Sequence, residues 1–309
     1  MRTLIRIFFA PAFLCVGVSA QLATWQPSQG HTQLPIWPKA PRDAQPALGP
    51  EEMKSVKDPL IGGGKPWAQV DNVSTPTLTV YSPQGKNTGV AVVVFPGGGY
   101  KVLAIDLQGT EICDWLTSKG ITAVLLKYRV PTPRSGPYAE STLAMQDAQR
   151  TVGLARLHSA EWHIDPHKIG VIGFSAGGHM VAALSTNFDT RLYAPVDAAD
   201  KESCRPDFAI ALYPGHLSKD DTNCELNPHI AVTRNTPPTF LLQAQDDPVD
   251  SVTNSLVYYI ALKNAGVPAE MHLYGQGGHA FGVRPTEFPI SNWPQLVATW
   301  LGTIGMTSK

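Results

Sequence analysis

Three groups of residues in this 309-residue chain could together perform nucleophilic acyl transfer. The first is Gly173-Phe174-Ser175-Ala176-Gly177-Gly178. A GxSxG turn between a strand and a helix lifts a serine hydroxyl clear of the backbone, and glycines flank it because side chains there would collide with their neighbours. Ser175 is the candidate nucleophile. A serine hydroxyl attacks only when a base takes its proton, and the base needs a carboxylate to orient it. Both follow in chain order: Asp247, in Ala244-Gln245-Asp246-Asp247-Pro248-Val249, and then His279, in Gly277-Gly278-His279-Ala280. The third group is Pro96-Gly97-Gly98-Gly99-Tyr100. Backbone N–H groups of such a turn can point at a developing oxyanion, and the expected donors are Gly98 or Gly99 together with Ala176, directly after the nucleophile. A nucleotide phosphate loop is excluded, because no Lys-Ser or Lys-Thr follows at the required spacing and Gly62-Gly63-Gly64-Lys65 has no strand before it.

These residues need a frame, and the hydrophobic pattern supplies one. From Asn72 onward short apolar runs alternate with amphipathic stretches, the pattern of strands joined by crossover helices. Strands are expected at 77–81, 90–95, 121–126, 168–173, 208–213, 239–243 and 271–274, several of them apolar on both faces as a buried parallel sheet requires. Helices follow from Ala144, Ala148, Val152 and Ala155, from Leu256, Val257, Ile260 and Ala261 before Gly266, and from Trp293, Leu296, Val297, Trp300, Leu301 and Ile304. No linker divides the chain after Asn72, so one mostly parallel α/β sheet covered by helices on both faces is expected. In it Ser175, Asp247 and His279 each lie just past the carboxyl end of a strand, where sites on such sheets are built.

The ordered set Pro96–Tyr100, Tyr128-Arg129-Val130-Pro131, Asp147-Ala148, Gly173–His179, Asp247 and Gly278-His279-Ala280-Phe281-Gly282 resembles the α/β-hydrolase esterases related to acetyl-xylan and feruloyl esterases. The resemblance runs from about Val73 to Trp300. It implies an α/β-hydrolase fold without a large cap domain, and a secreted carboxylesterase acting on acylated plant polysaccharides or their oligosaccharides. An acetyl-xylan esterase is the first reading. A feruloyl esterase or a general short-chain lipolytic esterase is the alternative. In the family's GxxD turn the acid position falls on Asp247, which leaves Asp246 and Asp250 as solvated or capping carboxylates. The chain departs from the family in carrying Asp250-Ser251 where relatives commonly have Val-Pro, and in a short interval from Tyr213 to Pro237. That interval is polar, so it offers no lipase lid, and a peptidase of this type would bring a large extra domain. A binding module with a degenerate site would lack a triad member, and none is missing.

Composition bounds the remainder. With 43% apolar and 16% charged residues the chain can bury a large core. Arg2 and Arg6, the apolar run 7–18 and Val18-Ser19-Ala20 read as a secretory signal peptide over 1–20, which predicts a secreted or periplasmic protein. The segment 21–72, rich in proline, is expected to be extended and to wrap the surface of a catalytic domain over 73–309. Subtracting two arginines leaves 22 basic against 25 acidic residues, a net charge of −3, which attracts neither nucleic acid nor an anionic membrane. Past the signal, Cys113, Cys204 and Cys224 remain, either as small buried residues or with one Cys204–Cys224 bridge. No His/Cys/Asp cluster has metal-ligand spacing, since Pro166 breaks the segment between His163 and His167, so neither metal nor cofactor is expected. Tyr128 and Arg129 are expected to brace the loop near Asp147. Tyr100, next to the donor glycines, either walls an acyl pocket that suits acetyl groups or only packs.

Overall fold

The computed structural model describes residues 24–39, 49–59, 61–130, 142–220 and 224–308. The segment 1–20, read as a signal peptide, lies outside them. Eight strands form one sheet in the order β1-β4-β7-β5-β8-β9-β10-β11. These are β1 (Gln33–Pro35), β4 (Thr77–Tyr81), β5 (Ala91–Phe95), β7 (Thr122–Lys127), β8 (Ile169–Phe174), β9 (Ala209–Leu212), β10 (Thr239–Ala244) and β11 (Ala269–Tyr274). The six from β7 to β11 run parallel, and β4 pairs antiparallel with both β7 and β1. The central strands are covered on both faces: every residue of β5, β7, β8, β9 and β10 is buried. Each fully buried Val, Leu or Phe there contributes roughly 1.5–3 kcal/mol by leaving water.

Five helices cover the sheet: α1 (Glu111–Ser118), α2 (Thr142–Leu157), α3 (Ala176–Thr186), α4 (Thr253–Asn264) and α5 (Trp293–Thr303). Helices α1 and α5 meet through Trp115 and Trp293, whose rings are 5.1 Å apart edge to face. Helices α2 and α3 pack on each other. The apolar stripes read for α2 and α5 point inward, with Ala144, Ala148, Val152, Ala155, Trp293, Val297, Trp300 and Leu301 all buried. Helix α4 differs: Ile260 is 51% exposed, and Val257, Tyr258 and Leu262 face the core with Asn254 and Ser255. Two polar residues hold that face because each has a buried task. Ser255 Oγ donates to Gln243 Oε1 at 2.5 Å, and Asn254 Oδ1 accepts the Ser218 N–H at 2.9 Å. Hydropathy spacing cannot register such residues as core.

The described part of the stretch before Asn72 is more than a surface wrap. It supplies β1 at one edge of the large sheet, and β2 (Glu52–Val56) and β3 (Trp67–Asp71), which join β6 (Val102–Ala104) in a three-stranded antiparallel sheet. The composition hid these strands because β2 is mostly exposed and lacks an apolar run. Gly62 N–H donates to the Ala280 carbonyl at 3.1 Å, which ties this segment to the residue after His279. The cysteines also resolve. Cys113 and Cys204 are buried thiols and Cys224 is an exposed one, so no Cys204–Cys224 bridge forms.

Beneath the sheet edge, Arg129 and Asp147 form a buried ion pair. Arg129 Nη2 and Nε donate to the carboxylate at 2.8 and 2.9 Å, its backbone N–H at 3.0 Å, and Trp37 Nε1 at 2.7 Å. Asp147 thereby fastens the strand end after β7 and the N-terminal Trp37 to α2. Removing one partner of such a pair leaves a charge stranded out of water. Asp147→Ala is expected to lower unfolding free energy by about 3–5 kcal/mol in urea titration; a loss below about 1 kcal/mol, the range of exposed pairs, would contradict this role.

Helix α3 carries a second buried polar group. His179 Nδ1 shares a hydrogen bond of 2.9 Å with the Tyr100 hydroxyl. Burial first, and then the charges of His216 and His229, hold its imidazole at about 3, far below the ordinary 6.5. The native ring is therefore neutral at pH 5, while the unfolded chain takes up a proton below 6.5. This group costs nothing above that value and destabilises progressively as pH falls toward 3, by up to about 1.4 kcal/mol per pH unit. Urea titrations at pH 7 and pH 5 should show a larger loss of stability on acidification for the native protein than for His179→Gln; equal losses would contradict a neutral buried imidazole.

Candidate active site

The Ser175 turn joins the end of β8 to the start of α3. Ser175 has φ 53° and ψ −119°, left-handed backbone that costs a non-glycine residue on the order of 1–3 kcal/mol. The neighbouring glycines are required by contact. A Cβ on Gly173 would lie 2.1 Å from the Gly177 carbonyl oxygen, and one on Gly177 would lie 2.0 Å from that of Phe95. Ser175 N–H donates to the Leu212 carbonyl at 3.1 Å, so the turn is held between β5 and β9. The serine is 9% exposed, at the floor of its surroundings.

Parallel pairing of β10 with β11 brings their two following turns side by side, and Gln245 N–H donates to the Tyr274 carbonyl at 2.7 Å. His279 Nδ1 lies 2.7 Å from Asp247 Oδ2, with the two side chains 5% and 0% exposed. Asp247 Oδ1 accepts the N–H groups of Val249 and Asp250, each at 2.9 Å, so one carboxylate both shapes its own turn and orients the imidazole. Asp246 remains exposed and Oδ1 accepts the Gly278 N–H at 2.8 Å, bracing the histidine turn. The edge of the Tyr213 ring meets His279 at 4.9 Å between centroids.

Asp250 departs from the sequence reading. It is buried, and its Oδ2 accepts the Ser175 hydroxyl at 3.1 Å while lying 3.7 Å from His279 Nε2. The serine and the histidine therefore converge on one carboxylate oxygen. The reason lies in the turn: with the Val249 and Asp250 N–H groups on Asp247, the chain folds back and carries the third residue after Asp247 inward. Spacing alone does not carry that reversal.

The glycine turn after β5 lies against the nucleophile turn. A Cβ on Gly97 would lie 2.6 Å from the Phe174 carbonyl oxygen and 3.1 Å from Ser175 Cβ. Gly97 N–H is taken by Gln108 Oε1 at 2.8 Å. Gly98 and Gly99 have φ 132° and 63°, and among the described residues their N–H groups have no hydrogen-bond acceptor. Ala176 opens α3, where the first N–H groups have no partner within a helix and the dipole is positive. The residues expected as oxyanion donors, Gly98, Gly99 and Ala176, thus lie on the two turns that meet at Ser175. Tyr100, with φ 55° and 4% exposure, packs between Tyr128 and His179, its hydroxyl held by the latter.

Two further residues have no sequence signal. Gln108, on the turn Asp106–Thr110 before α1, takes the Gly97 N–H and donates through Nε2 to the Tyr213 hydroxyl at 3.3 Å. Tyr213 in turn packs on His279 and Phe281. A buried chain of contacts therefore joins the glycine turn to the histidine. Among the described residues no group of three His, Cys, Asp or Glu could hold a metal ion.

Known proteins resemble this chain in sequence and in fold. The BD-FAE family model matches residues 78–216. The chain is 32% identical over 211 residues to an acetylxylan esterase of Xylanibacter ruminicola, covering 63% of this chain and 42% of that one. It is 29% identical over 235 residues to endo-1,4-beta-xylanase B of Butyrivibrio fibrisolvens, covering 71% and 36%. It thus spans less than half the length of these curated relatives. The crystal structure of an acetyl ester-xyloside bifunctional hydrolase from Caldicellulosiruptor lactoaceticus superposes with a TM-score of 0.70 at 30% identity, over 90% of this chain and 97% of the other. With the parallel sheet, the nucleophile turn and these matches together, the chain belongs to the α/β-hydrolase esterase family.

Proposed function

We propose that this protein is an exported serine carboxylesterase that removes acetyl groups from xylan or related plant polysaccharides and oligosaccharides through an acyl-enzyme. The observation that carries the mechanism is the 2.7 Å contact between His279 Nδ1 and Asp247, which leaves Nε2 on the side of Ser175. Nε2 takes the Ser175 proton as Oγ attacks the acyl carbon, then delivers it to the departing alcohol oxygen. Water repeats the sequence on the acyl-enzyme. Asp247 holds the imidazole in register and stabilises its charged form, and the N–H groups of Gly98 or Gly99 and Ala176 receive the oxyanion. No step draws on a cofactor.

The substrate reading rests on the matched relatives, an acetylxylan esterase and an acetyl ester-xyloside hydrolase, and on Tyr100. Tyr100, pinned by His179 directly beyond the donor glycines, is assigned as the wall of a pocket for a short acyl group. Export rests on the signal-like residues 1–20.

Steady-state kinetics test this reading. Ser175→Ala is expected to abolish turnover of p-nitrophenyl acetate with the fold intact, and Asp247→Asn to lower kcat by roughly 10³- to 10⁴-fold. Acetate esters should be cleaved faster than butyrate, at about tenfold or more in kcat/KM for each unaccommodated methylene, and acetic acid should be released from acetylated xylan. Full activity in Ser175→Ala would refute the mechanism, and equal cleavage of acetate, octanoate and methyl ferulate would refute the acetyl assignment.

A further inference from the structure

Asp250 occupies a place that the hydrolytic triad does not use. A hydroxyl has one proton to donate, and the Ser175 hydroxyl gives it to Asp250 Oδ2 at 3.1 Å. For attack, that hydrogen must turn to His279 Nε2. The same carboxylate oxygen is 3.7 Å from Nε2, the atom that later hands the proton to the departing alcohol. The alcohol oxygen has to come within hydrogen-bond reach of Nε2, so the carbons attached to it arrive beside Asp250.

The carboxylate is built into position. Its backbone N–H is held by Asp247 Oδ1 at 2.9 Å and its carbonyl by Gln243 Nε2 at 2.6 Å. Gly215 lies against the side chain, since a Cβ there would be 2.5 Å from Asp250 Oδ1. Only a residue without a side chain at 215 leaves this space to the aspartate. An ionised carboxylate accepts hydrogen bonds and donates none. What fits beside it on the alcohol side is therefore a hydroxyl.

We propose that Asp250 determines specificity for the alcohol, selecting esters whose acylated carbon neighbours a carbon with a free hydroxyl. This rests on the esterase reading above. The substrate hydroxyl donates to Asp250 Oδ2 in place of Ser175, and the released serine proton goes to His279. The exchange keeps the carboxylate hydrogen-bonded and couples binding of the correct alcohol to freeing of the nucleophile. Asp250 gains and loses no proton. The Ser175 Oγ–acyl bond forms, the acyl–alcohol bond breaks, and the proton passes from Oγ through Nε2 to the alcohol. Sugars and other polyols carry such neighbouring hydroxyls, whereas simple alkyl and phenyl esters do not. An anionic alcohol is disfavoured by the same charge.

The test compares a methyl xylopyranoside monoacetate whose adjacent hydroxyl is free with its O-methyl ether, taking p-nitrophenyl acetate as reference. The native enzyme is expected to cleave the free-hydroxyl ester about 10- to 100-fold faster in kcat/KM than the ether, the range for a hydrogen bond to a charged group. In Asp250→Ala that preference should collapse to within about threefold, and in Asp250→Asn, which keeps an acceptor and loses the charge, it should be intermediate. The comparison of the two esters on the native enzyme holds even if a variant fails to fold. Equal rates for free hydroxyl and ether on an active native enzyme, or an undiminished preference in Asp250→Ala, would overturn the proposal and leave the esterase reading standing. A native enzyme inert toward all three esters would overturn both.

Discussion

The backbone at Ser175 has to remain in a left-handed conformation, at φ 53°, while two other chain segments press against it. That condition governs the layout around it. The turn has room only because Gly173 and Gly177 present no side chains to each other and to the Phe95 carbonyl. It keeps its conformation because β8 lies in the middle of the sheet, between β5 and β9, with every residue buried. Strain of roughly 1–3 kcal/mol in one residue is small beside what those strands contribute, and it is the core that holds the turn in place. The glycine turn after β5 touches the serine turn for the same reason: both leave adjacent parallel strands at the same sheet edge.

The second organising feature is the turn after β10. Its three aspartates differ only in surroundings, and each does something different. Exposed Asp246 holds the histidine turn by its backbone, enclosed Asp247 orients the imidazole, and Asp250 reaches the Ser175 hydroxyl. Asp247 makes the other two positions possible by accepting the N–H groups that curl the turn. The N-terminal segment closes the far side, through Gly62 on Ala280 and through Arg284, whose guanidinium donates to Glu111 at 2.6 Å and to the Pro66 carbonyl at 3.0 Å. A stretch that composition marks as an irregular wrap thus supports the loop that carries His279.

What could be read from the sequence was local. The seven large-sheet strands from Thr77 to Tyr274 lie within two residues of their expected limits, because apolar runs and glycine stops depend on neighbours along the chain. Ser175, Asp247 and His279 could be singled out because each follows a strand whose end is marked, and parallel pairing then sets them at one edge. Gln108, Tyr213 and Asp250 could not be. Gln108 matters through an N–H eleven residues away and a hydroxyl 105 residues away, and Asp250 through a turn closed by another residue's carboxylate. The small sheet, the rotated face of α4 and the separate cysteines belong with these, since long-range partners decide all of them.

The central claim is that Ser175, flanked by the donors of the glycine turn and of α3, is the nucleophile and that His279 is oriented toward it by Asp247. A crystal structure of the native enzyme after reaction with a serine-directed alkyl phosphonate tests it most directly. The expected density joins phosphorus to Ser175 Oγ, with the phosphoryl oxygen accepting from Ala176 and from Gly98 or Gly99, and with His279 Nδ1 still on Asp247. Phosphonate attached to any other residue, or a phosphoryl oxygen turned away from the glycine turn, would contradict it.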